Sequence, residues 1–188
     1  MFFIAVFELI ITAYASLLWL RMLLQKGGLF LSHPMAQLCA NLSDFLVRPM
    51  RRLIKPVKGW DTAIAVLSFV IILFAQLITL LFFIYKGSPL SAIMALLWVG
   101  NTFLLWSKAA AYALIICLIV QTVLSFSSPY NPLMTVMNRI LNPLTRPFRF
   151  LRIGRIDFSG SLIFIILWLW VSLVVPYIQQ IMMTGIFL

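Results

Sequence analysis

Apolar positions fall into long runs broken by two polar, basic stretches. Residues 2–24 are apolar apart from Glu8, Arg21 and a few small polar side chains. At about 1.5 Å per residue such a run covers roughly 34 Å, enough to cross a bilayer core of about 30 Å. Residues 62–85 form a second run, and 158–177 another, closed by Pro176 and Gln179–Gln180. The run at 90–126 is too long for one simple crossing and barely long enough for two. Each of these runs predicts a transmembrane helix.

The intervening stretches have a different period. In 34–55, Met35, Leu38, Cys39, Leu42, Phe45, Leu46, Met50, Leu53 and Ile54 recur at helical spacing, with Gln37, Asn41, Asp44, Arg48, Arg51, Arg52 and Lys55 on the other side. In 132–151, Leu133, Val136, Met137, Ile140, Leu141, Leu144, Phe148 and Leu151 repeat the pattern. Basic amphipathic helices beside a membrane lie in its interface. Pro49, Pro143 and Pro147 predict a break near each Arg-Pro, because proline removes a helical N–H and clashes with the preceding turn.

A shift of 98 residues superimposes the chain on itself: Pro34 on Pro132, Arg48-Pro49-Met50-Arg51 on Arg146-Pro147-Phe148-Arg149, and Leu53 on Leu151. The expected architecture is all-α and polytopic. Four spans come from two parallel repeats, each a span, a basic interfacial helix and a second span. The first repeat covers 1–86, with spans at 2–24 and 62–85. Residues 87–99 are an outer segment, either interfacial, re-entrant or part of one long third helix. The second repeat covers 100–188, with spans at 100–123 and 158–177.

Composition agrees with this reading. Of 188 residues 64% are hydrophobic and 10% charged, which excludes an ordinary soluble domain and a disordered chain. The net charge of +10 is concentrated in the two basic loops. A single crossing by 90–126 puts both loops on one side, as the positive-inside rule requires. Both termini are then outside and the basic loops cytoplasmic. Ala13-Tyr14-Ala15 resembles a cleavage site, but no basic residue precedes the run and Glu8 lies inside it, so it reads as a retained span.

Candidate chemistry is sparse. There is no phosphate-binding, dinucleotide, zinc-protease or hydrolase motif, and four acidic residues offer no catalytic pair. The two cysteines, Cys39 and Cys117, form no close-spaced motif, and His33 before Pro34 reads as a loop or capping residue. No enzyme activity, metal, cofactor or nucleic-acid partner is expected. Asp61 and Asp157 are expected to cap the helices that follow them. Glu8 and Lys108 are the charges inside the spans away from the inner boundary, and counting along the repeats places them about one turn apart in depth. They are expected either to pair or to reach the outer headgroups. Arg48, Arg51, Arg52, Lys55, Arg139, Arg146, Arg149, Arg152 and Arg155 are candidate contacts for anionic lipid or a protein partner.

One motif is specific. Asn131-Pro132, then Asn142-Pro143-Leu144-Thr145-Arg146-Pro147-Phe148-Arg149-Phe150-Leu151, then Gly154-Arg155-Ile156-Asp157-Phe158-Ser159 resembles the signature of the YggT family of bacterial inner-membrane proteins and plastid YlmG relatives. The resemblance covers nearly the whole chain as two copies. In the first copy His33-Pro34 replaces Asn-Pro, and Gly59-Trp60-Asp61-Thr62 replaces the ending. It implies a bacterial inner-membrane location and no assigned catalysis. Family members are associated with osmotic-stress tolerance and ion uptake, with division genes, and with plastid cytochrome maturation and membrane organisation. Two functions follow. One is a scaffold or assembly factor that holds lipid and unidentified membrane or cytoplasmic proteins, with homo-oligomers an open possibility. The other is an oligomeric transport or osmotic-stress component. The scaffold leads, because polar groups inside the spans (Glu8, Gln76, Thr79, Asn101, Ser107, Lys108, Gln121) are few.

Overall fold

The computed structural model describes residues 2–29, 33–56, 59–86, 92–127, 131–153 and 156–186. Four helical segments within it are long and apolar enough to cross a membrane, so the chain is a four-span, multi-pass membrane protein. The first is α1 (Phe2–Gly27), followed by α2 (Pro34–Leu53) and the second span, α3 (Thr62–Tyr85). The third is α4 (Ala92–Ser127). After α5 (Pro132–Thr145) come a 3-10 turn (Arg146–Leu151) and a two-residue antiparallel pairing, β1 (Arg152–Ile153) with β2 (Ile156–Asp157). The fourth span is α6 (Ser159–Leu169), a π turn (Trp170–Val174) and α7 (Val175–Ile186).

Two expectations are corrected here. Residues 92–99 are the opening turns of α4, not a separate interfacial segment; residues 87–91 lie outside the described residues. The 36-residue helix, about 54 Å long, outreaches a bilayer core of about 30 Å and must overhang it or tilt. The break expected at Pro49 is also absent, since α2 runs through it to Leu53. Pro49 sits near the helix end and costs one hydrogen bond, to the carbonyl of exposed Phe45. In the second loop α5 passes Pro143, and the α-helix gives way to the 3-10 turn at Arg146–Pro147.

Proline at the first helical position and a capping side chain before it start both interfacial helices. His33 Nδ1 accepts from the Met35 N–H at 3.3 Å, and Asn131 Oδ1 from the Leu133 N–H at 2.9 Å. α1 ends where Gly28 takes φ +83°, which lets the Leu29 N–H reach the Leu24 carbonyl at 3.0 Å. Its last turn lies against α5. A Cβ on Gly27 would come within 2.6 Å of Val136 Cγ1, so the absence of a side chain permits the contact.

α1 packs most extensively on α4 and α3. The ends of α1 and α4 meet α5 and α6 in one cluster, with Leu24, Cys117, Met137 and Leu141 almost fully buried. A second joins α1, α2 and α3 through Leu18, Met22, Val47 and Ile64. Deeper between the spans, Ala15, Ile72, Leu105 and Ala109 close together, none more than 1% exposed. Trp19 borders all three clusters and meets the Trp106 ring at 5.1 Å.

Candidate functional site

The basic face is built where α2 crosses the ends of α1 and α3. Arg21, on the α1 side facing α2, is 3% exposed. It donates to Ser43 Oγ and to Asp44 Oδ1, both at 2.6 Å. Asp44 Oδ2 accepts from Arg48 one turn on, at 2.9 Å. Burial works to raise Asp44's pKa, but hydrogen bonds from Arg21 and Arg48 outweigh it and hold the carboxyl below its usual range. Cys39 beside them is pushed up by burial, against the pull of Arg21, and stays a thiol. Arg21 Nε has no partner and borders a small crevice lined by Gln25, Leu29, Ala36 and Cys39.

Asp61 stands at the start of α3, yet its carboxylate does not cap the helix. It accepts from Arg51 Nε at 2.8 Å, because the guanidinium is a stronger partner than a helix N–H. Arg51 also reaches Gln25 at 3.2 Å, and Lys26 lies 3.1 Å from the centre of the Trp60 ring. Arg48 and Arg51 are therefore engaged within the protein, whereas Arg52 and Lys55 are exposed and form no ion pair among the described residues. Asp157 falls in β2 rather than at the first position before α6, which Phe158 occupies. The side chains of Asp157, Arg149, Arg152 and Arg155 lie outside the described residues. Arg146 is exposed, and Arg139, also exposed, donates to the Gly27 carbonyl at 3.2 Å.

The two interfacial helices spend their apolar faces differently. α5 buries Leu133, Val136, Met137, Ile140 and Leu141 in the bundle. α2 packs through a narrow stripe of smaller residues, Ala36, Cys39, Ser43 and Val47. Its large side chains, Leu38, Leu42, Phe45 and Leu53, are 63, 56, 69 and 80% exposed. At about 100° per residue these lie on a sector between the packed stripe and the charged side. α2 thus presents three faces, one against protein, one apolar and open, one basic. The sequence pattern gave both helices one apolar face and did not separate the two uses.

A second polar grouping joins all four spans. Asn101 on α4 donates to Gln76 on α3 at 3.1 Å. Gln179 on α7 donates to Asn101 Oδ1 at 2.9 Å and to Glu8 Oε1 on α1 at 3.4 Å. Gln76 and Asn101 are buried. Gln179 reaches this layer because of the π turn. Ser159, Ile163, Leu167, Val171, Val175 and Gln179 follow at every fourth residue, a stripe that drifts about 40° per step on an α-helix. The wider π turn winds part of that drift back. It directly precedes Pro176, which has no N–H for the Ser172 carbonyl.

This layer replaces the expected Glu8–Lys108 pair. No ion pair joins them, and Glu8 accepts from Gln179 instead. Asn101 stands at the level of Glu8, and Lys108 is seven residues further along α4, about 10 Å away. Repeat counting missed this because α4 begins well before residue 100.

Residues 1–82 match the family model described as CCB3/YggT. The first half of the chain is a CCB3/YggT family unit. The match takes in α1, α2 and all but the last turn of α3, whereas the motif read from the sequence was stronger in the second half. The chain is also similar to an uncharacterized protein of Haemophilus influenzae, 28% identical over 161 residues, 84% of this chain and 83% of that one. No solved structure matches. The family unit therefore contains the Arg21–Asp44 joint, the open face of α2, and the Glu8 and Gln76 members of the polar layer.

Proposed function

We propose that this protein is a non-enzymatic scaffold of the bacterial inner membrane, built from two tandem units, with its termini outside and its basic helices at the cytoplasmic surface. It gathers anionic lipid, and through it neighbouring membrane proteins, along α2. The observation that carries this reading is the three-faced α2. Leu38, Leu42, Phe45 and Leu53 suit acyl chains, and Arg52 and Lys55 beside them suit anionic headgroups. Each such cation near an anionic leaflet is worth about 1 kcal/mol. α5 has no comparable open apolar stripe, so its role is to brace the bundle. The packed cluster of Ala15, Ile72, Leu105 and Ala109 supports a scaffold over a conduit through one chain.

The test places a reporter at Leu53 or at Asn138 in protein reconstituted into nanodiscs, with headgroup-spin-labelled lipid. Anionic lipid is expected to relax the reporter at Leu53 several-fold more than neutral lipid does, and the excess should fall with salt. At Asn138 the two lipids should act alike. Equal effects of both lipids at Leu53 would remove anionic recruitment by α2.

A further inference from the structure

Glu8 is the only glutamate in the chain. Its carboxylate is half-buried six residues into α1, about 9 Å from the end of the helix. Among the described residues no lysine or arginine forms an ion pair with it. The neighbouring elements supply no compensating charge at that level. α3 has no titratable side chain before Tyr85, α4 none before Lys108, and α7 only Tyr177, which is 66% exposed. On α1 itself the next such groups are Tyr14 and Arg21, about 9 and 20 Å away along the axis. An acid so placed inside a membrane bundle marks a functional position.

The amides around it are all oriented the same way. Gln179 Nε2 has two hydrogens, one directed at Asn101 Oδ1 and the other at Glu8 Oε1. Asn101 Nδ2 passes the sense on to Gln76 Oε1. The chain of donors ends on the carboxylate. It also ties α1 to α7, residues 171 apart in sequence, so it closes the first span onto the last.

We infer that Glu8 is a proton-binding site and that its protonation sets the strength of the α1–α7 link. The proton comes from water on the side where both termini lie. An O–H bond forms on Oε2, no other bond breaks, and Oε1 remains as a neutral acceptor. The Gln179 hydrogen bond then loses its charge assistance and roughly half its strength. The Asn101–Gln179 and Asn101–Gln76 bonds involve no ionisable group and persist. Acidification on that side thus loosens α7 from α1 while α3, α4 and α7 stay joined. This inference does not depend on the lipid-scaffold reading.

The single glutamate makes the test site-specific. Protein carrying carboxyl-13C glutamate and 15N glutamine is reconstituted in nanodiscs, and the one labelled carboxyl resonance is followed against pH. It should titrate, and its dipolar coupling to a glutamine side-chain nitrogen should weaken with the same midpoint. In Gln179→Leu the midpoint should rise by about half to one pH unit, roughly a three- to tenfold gain in proton affinity, because a donor to the charged form has been removed. Gln179→Asn, which keeps the amide but shortens its reach, should rise less. A carboxyl that stays in one state at every accessible pH would overturn the proposal. So would a midpoint unchanged in Gln179→Leu, or, should that variant not fold, a wild-type coupling indifferent to pH.

Discussion

Asp44→Ala should lower the stability of the reconstituted protein by about 3 kcal/mol. The carboxylate is the acceptor for Arg21 Nη2 at 2.6 Å, and Arg21 is 3% exposed. Removing one partner of a buried pair strands the other charge, which typically costs about 3–5 kcal/mol. Asp44 itself is 28% exposed and shared with Arg48, which puts the loss at the lower end. Replacing both partners, as Arg21→Met with Asp44→Leu, should cost less than Asp44→Ala alone, because no charge is left behind. The same joint gives a pH dependence. Asp44's folded pKa lies below its unfolded value, so its contribution is full above the ordinary carboxylate range and disappears as pH falls through the lowered value. Thermal unfolding against pH should therefore show an acid loss in the wild type that is smaller in Asp44→Ala.

Leu105→Ala is expected to cost about 2 kcal/mol by the same measurement. Leu105 is 1% exposed and packs with Ala15, Ile72 and Ala109. Between membrane helices the driving force is contact rather than expulsion of water, so the loss is that of the cavity and its missing contacts. Two small neighbours, Ala15 and Ala109, cannot extend to fill the space. A Leu105→Met variant of similar volume should lose less than half as much.

What the sequence made legible follows from where its signals are local. α3 was readable to the residue because a uniformly apolar run lies between Asp61 and Lys86. α4 was not, because apolar character continues without a break through 92–99 and carries no mark of depth. His33 was readable as a cap since it precedes a proline, and Asn131 bears the same signal. Asp61 carried an equally good signal but was claimed by Arg51, ten positions away in sequence. Arg21 with Asp44, and Glu8 with Gln179, are tertiary pairs that no periodicity encodes. Gln179 looked like the polar end of a span; only the π turn ahead of it turns the side chain inward.

A scaffold and a conduit differ most directly in ion passage. Purified protein in liposomes containing anionic lipid, under proton and potassium gradients, should leak no faster than protein-free vesicles, at pH values on either side of the Glu8 midpoint. Selective flux that rises with protein content and disappears in Glu8→Gln or Asn101→Leu would contradict the scaffold and make the polar layer part of an ion path.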